Sequence, residues 1–98
     1  EEEERNDKIL ESLPLSKVAP IYPNRALSRG IEGYCIIEFS ITPAGTTENA
    51  TVIECSSNLF AKPSLNAVSK FKYKPRTING VPTTVPGVKH KLSFTLAK

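Results

Sequence analysis

Histidine is nearly absent from this 98-residue chain, His90 being the only one, and cysteine occurs twice, as Cys35 and Cys55. Neither cysteine belongs to a Cys-x-x-Cys pair, so the ligand set of a structural zinc site is missing and no metal is expected. No serine stands in a Gly-x-Ser-x-Gly elbow. The run Gly30-Ile31-Glu32-Gly33 is too short and wrongly placed for a phosphate loop. Without convergent nucleophiles, bases or ligands, an enzyme is not expected, and no cofactor is implied. No apolar run is long enough to cross a bilayer. A signal-peptide pattern is also missing, so any membrane anchor is expected upstream of the leading Glu1-Glu2-Glu3-Glu4.

Acidic residues are missing from the last 44 residues. Residues 1–54 hold ten acids and five basic residues, a balance of −5, whereas residues 55–98 hold eight basic residues and no acid, +8. A basic half suits nucleic acid, a membrane surface or an acidic protein. The interleaved run Lys70-Phe71-Lys72-Tyr73-Lys74-Pro75-Arg76 resembles a platform for stacking bases. Phe71, however, continues an apolar helical stripe through Leu65 and Val68. A core anchor with lysines at a helix end is therefore the stronger reading, and nucleic acid is not an expected partner.

What is present reads as one small α+β domain. Residues 1–16 read as a linker end and a short helix over 8–13, capped by Asp7 and closed by Pro14. Residues 17–98 form the domain proper. Pro20 and Pro23 favour an extended path. Asn24 is expected to cap a second short helix through Arg29, with Gly30 as its C-terminal glycine. Residues 33–41 alternate, with Cys35, Ile37, Phe39 and Ile41 on one face. Thr42-Pro43-Ala44-Gly45 breaks the run, and a second strand follows over 47–55 with Ala50 and Val52 inside. A helix is predicted over 61–71, a loop over 73–85, and a last alternating strand over 87–96. The helix between the second and third strands lets the third cross over and pair with the first. The fold expected is a three-stranded antiparallel sheet, order second–first–third, with short helices on one face and the last strand at an open edge.

The hairpin register decides the cysteines, and the sequence leaves it open. A simple register sets Cys35 opposite Glu54 and leaves both thiols free. A one-residue bulge sets Cys35 opposite Cys55, within disulfide reach.

In order and spacing, several segments resemble the C-terminal domain of the TonB family. They are Tyr22-Pro23, Ile31-Glu32-Gly33, Phe39-Ser40-Ile41-Thr42-Pro43-Ala44-Gly45, residues 56–60, Ala67-Val68 and Phe71-Lys72-Tyr73-Lys74-Pro75. The likeness covers about residues 17–96. It implies a non-catalytic periplasmic module that transduces energy, tethered to the inner membrane by a segment outside this chain and driven by an ExbB/ExbD complex. It implies capture of the TonB box of outer-membrane receptors by strand addition, coupling the proton motive force to uptake of iron–siderophore-type substrates. The edge strand, Val88, Lys89, His90, Lys91, Leu92, Ser93, Phe94, Thr95 and Leu96, is then the partner-binding element. Tyr22, Pro23 and Arg25 are expected to contact the receptor plug. A weak homodimer is a further possible association. An oxidising periplasm tips Cys35 and Cys55 toward a bridge. The chain departs from the family pattern in having Ile21 where glutamine commonly precedes Tyr-Pro, and Phe71 where tryptophan is usual. A TolA-like envelope-integrity domain of similar architecture is the first alternative, and a small basic nucleic-acid-binding module the second.

Overall fold

The computed structural model describes residues 14–96; the helix expected over 8–13 lies outside them. Its centre is a three-stranded antiparallel sheet of β2 (Gly33–Ile41), β3 (Thr47–Cys55) and β7 (Val85–Phe94), in the order β3–β2–β7. Two helices, α1 (Asn24–Arg29) and α2 (Ala61–Val68), accompany it. Two small ribbons complete the fold. β1 (Pro14–Ser16) pairs with β4 (Lys72–Tyr73), and β5 (Arg76–Ile78) pairs with β6 (Val81–Thr83). The crossover predicted from the sequence is present: the chain leaves β3, passes through α2, and returns beside β2.

Alternation in β2 sends Cys35, Ile37, Phe39 and Ile41 into the core, where all are at most 1% exposed. They meet Ala26 from α1, Phe60 from the single 3-10 turn that leads into α2, and Ala67, Val68 and Phe71. Aromatic rings lock these layers together. Phe60 stacks on Phe94 of β7 with centroids 4.3 Å apart. Tyr22 meets both rings edge-on. Phe39 meets Phe71 edge-on at 6.4 Å. Such pairs contribute roughly 0.5–1.5 kcal/mol each beyond their buried area.

Several boundaries differ from the sequence reading. α1 begins after Pro23, and Asn24 makes no side-chain cap. Gly30 ends it in the left-handed conformation, as predicted (φ 66°). Ser57 caps the 3-10 turn by accepting from the Leu59 N–H. α2 stops at Val68 instead of continuing to Phe71, and its buried face is Ser64, Ala67 and Val68. Leu65 is only half-buried. The stretch 73–85, predicted as loop, contains the β5–β6 hairpin turned at Asn79-Gly80, where both residues have positive φ. Three-residue strands leave too short an alternation to read from sequence.

The β2–β3 hairpin slips register twice. Thr42 and Thr46 close the turn, and the pairs run Ile41↔Thr47, Glu38↔Thr51, Ile37↔Val52, then Ile36↔Glu54 and Cys35↔Cys55. Asn49, at φ 57°, lies at one irregularity and Ile53 at the other. Val52 does share the inner face with Ile37, but on the outermost strand it stays 39% exposed. Gly45 is buried in the turn at φ 88°, and its carbonyl accepts from the Tyr73 N–H. Any Cβ there would strike the Tyr73 carbonyl.

The second slip brings Cys35 and Cys55 face to face, and their sulfurs are bonded. At a sequence separation of 20, the cross-link stabilises the fold by about 3 kcal/mol by limiting the unfolded chain. Alkylation of the unreduced, denatured protein should therefore label no thiol, and reduction should lower the unfolding free energy by about that amount. Two labelled cysteines in oxidised protein would contradict the bridged register.

Candidate functional site

β7 is paired on one side only. Tyr34 of β2 shows which backbone groups face which way. Its N–H donates to Ser56 Oγ (2.9 Å) and its C=O accepts from the Ser56 N–H (3.0 Å), so both point away from β7. Its neighbour Cys35 therefore turns both groups toward β7, where it faces Leu92. The ladder then runs without interruption from Gly33↔Phe94 to Phe39↔Val88. By alternation, Val88, His90, Leu92 and Phe94 bond to β2. Lys89, Lys91 and Ser93 direct N–H and C=O outward, to an edge that no strand occupies among the described residues.

Side chains follow the opposite logic. Leu92 and Phe94 are buried, and Val88 and His90 half-buried, on the core face, while Lys89, Lys91 and Ser93 are exposed. Lys91 Nζ lies 4.9 Å from the centre of the Tyr34 ring. The Tyr34 hydroxyl donates to Glu54. That hydrogen bond, with some desolvation, raises the hydroxyl's pKa. Thr95 and Leu96, expected in the strand, lie past its end at Phe94; the Leu96 N–H donates to Glu32 Oε2 at 2.8 Å.

Beside the open edge, the extended segment 17–20 forms the other wall of a groove of about 360 Å³, lined also by Phe71, His90 and Leu92. His90 ties the walls together. Its ring meets Phe71 edge-on at 5.3 Å, and its Nδ1 lies 3.4 Å from Lys17 Nζ. The ammonium donates, so Nδ1 is the unprotonated acceptor of a neutral imidazole. The sequence offered no signal for Lys17, because its contact with His90 spans 73 residues.

Tyr22, Pro23 and Arg25 lie around the start of α1, and the structure gives them different surroundings. The Tyr22 ring is half-buried against Phe60 and Phe94, and its hydroxyl donates to the Ile31 carbonyl. Pro23 ends the extended segment and accepts from the Leu27 N–H. Arg25 is exposed on α1. No group of three or more potential metal-ligating side chains occurs among the described residues.

Burial, and secondarily Lys17, lower the His90 pKa below its ordinary 6.5. The unfolded chain then takes up the proton first as pH falls. His90 thus favours the folded state fully above about pH 6.5, and that contribution is lost as pH falls through the lower folded value. In an NMR titration the imidazole midpoint should lie below 6.5. His90→Gln should flatten the decline in unfolding free energy between about pH 7 and pH 5. A midpoint above 6.5 would contradict the burial seen here.

The model of the family described as the Gram-negative bacterial TonB protein C-terminal matches residues 18–96. TonB of Pseudomonas aeruginosa is 35% identical over 68 residues, covering 68% of this chain and 20% of that protein. TonB of Escherichia coli is 34% identical over 62 residues, covering 62% of this chain and 26% of that protein. The chain thus spans about a fifth to a quarter of the relatives' length. Among solved structures, the solution NMR structure of the P. aeruginosa TonB C-terminal domain superposes with a TM-score of 0.75 at 29% identity, covering 90% of this chain and 89% of that one. TonB2 of Vibrio anguillarum superposes with a TM-score of 0.66 at 32% identity, covering 91% and 85%.

Proposed function

The chain belongs to the TonB C-terminal family, and on that premise we propose that it is the receptor-gripping module of a periplasmic energy transducer. Its ligand is the TonB box, a short N-terminal segment of an outer-membrane receptor. The box adds as a strand to the free edge of β7. The observation that carries this reading is the row of outward-facing backbone groups at Lys89, Lys91 and Ser93. An added strand satisfies those groups with main-chain hydrogen bonds. The bonds share a pull along the strand in shear, so the mode suits a module that must transmit force. Because backbone groups are the same in every peptide, one domain serves receptors whose box sequences vary.

In the whole protein this module would be anchored in the inner membrane and driven by an ExbB/ExbD-type complex. The proton motive force would thereby be coupled to uptake of iron–siderophore-type substrates. Pro23, half-buried, and Arg25, exposed, stand at the start of α1 and would meet the receptor plug. Tyr22 would support them from within, its ring packed on Phe60 and Phe94.

An NMR titration with a receptor's TonB-box peptide tests the proposal. Shifts should centre on β7 and segment 17–20. Lys91→Pro and Ser93→Pro should each leave the domain folded and weaken binding roughly five- to ten-fold, the loss of one backbone hydrogen bond. Unchanged affinity in both folded variants would remove β7 as the binding edge. The charges should act mainly on encounter. Lys89→Gln with Lys91→Gln should slow association, more so at low salt, and leave dissociation nearly unchanged. Faster dissociation with unaltered association would make these lysines direct anchors instead.

A further inference from the structure

Segment 17–21 has a second side, facing away from β7. There it meets the outer surface of α2 in a pair of adjoining depressions, the larger of about 380 Å³. The lining is apolar and stiff: Pro20, Ile21 and Pro23 on one wall, Leu59, Pro63 and Ala67 on the other. Ile21 is 80% exposed, a large apolar side chain left in water at the rim. Lys62 and Asn66 stand one turn apart on α2, and Lys70 follows just past its end along the same wall. All three are exposed, and among the described residues no acidic side chain lines either depression.

We propose that this groove is a second peptide-binding site, for an extended acidic segment of a partner protein with an apolar side chain between two carboxylates. Charge complementarity selects the acids, because among the described residues the charged groups lining the groove are Lys62 and Lys70, both cationic. Spacing sets their separation. Lys62 stands in the first turn of α2 and Lys70 two residues past its end, so the eight-residue helix, which rises about 12 Å, separates them. Residues i and i+4 of an extended peptide stand about 13 Å apart on the same face, with residue i+2 between them. The matching pattern is acid–x–apolar–x–acid. Its central side chain enters the apolar floor while its carboxylates reach the two lysines, and Asn66 offers an amide to the peptide backbone. A nucleic acid would bring the same negative charge, but no aromatic ring lines the groove to stack a base. The site is separate from the free edge of β7 and does not rest on the function proposed for that edge.

The test uses the 98-residue chain and the peptide acetyl-Glu-Ala-Leu-Ala-Glu-amide, followed by amide chemical shifts. A saturable response centred on Ile21, Leu59, Asn66 and Ala67 is expected. Replacing both peptide glutamates by glutamine, or making Lys62→Gln with Lys70→Gln, should weaken binding roughly five-fold or more. The lysine variant should leave TonB-box binding at β7 unaltered, so failure at one site is distinguishable from failure at the other. The proposal falls if no saturable response occurs, if the response maps to β7, or if the glutamine peptide binds equally well. It also falls if a short oligothymidylate moves the same amides at lower concentration, or if they move with protein concentration alone, which would make a second copy the occupant.

Discussion

The pairing of β2 with β7 is the contact on which the architecture turns. β2 is paired on both sides, and it gains its second neighbour only because the chain returns through α2 to lie beside it. The aromatic side chains hold that return in place. Phe94 of β7 stacks on Phe60 just before α2, and Phe71 just after α2 meets both Phe39 of β2 and His90 of β7. Helix, central strand and last strand are thereby fastened at both ends of the crossover. Contacts across so long a span of chain repay a loop-closure cost, which is why large rings carry them.

The two edges of the sheet are not equivalent. β3 slips register at both ends, places Asn49 in the left-handed region, and exposes Glu48 and Glu54. Bulges and charges of this kind discourage another strand from adding. β7 keeps an unbroken ladder from Phe94 to Val88 before its own irregularity near Gly87. Its outward backbone groups are therefore evenly presented, and two of its exposed side chains, Lys89 and Lys91, are cationic. Irregularity at the β3 edge leaves the β7 edge as the regular, unpaired one among the described residues.

Segment 17–21 links the surface features. On one side it walls the groove beside β7, where Lys17 reaches His90; on the other it walls the groove against α2, where Ile21 stands exposed. Prolines 20 and 23 keep it extended, and the Tyr22 ring pins it between Phe60 and Phe94. One short stiff segment thus forms a wall of both grooves.

Much of this was legible in the residues. The strict alternation of β2 and of residues 88–94 identified the strands and their inner faces, because a sheet buries one side with period two. Gly30 and the Pro-Ala-Gly turn marked chain reversals, because few residues adopt positive φ. The helix between the second and third strands gave the strand order, and with it the open edge. The hairpin register was left undecided, because two bulges separate inner residues by three instead of two. Asn49 and Ile53 carry no local pattern that requires this. The β5–β6 hairpin was missed because its strands are shorter than one readable period. The early end of α2 escaped notice because Phe71 continues the stripe while its backbone has already left the helix. By itself, then, the sequence determined the inner faces of the central and last strands, the order of the strands and the sign of charge along the chain, since these follow from local periodicity and composition. Only the tertiary structure decided the cysteine pairing, the contact of Lys17 with His90 and the two grooves flanking segment 17–21, because each depends on where distant segments dock.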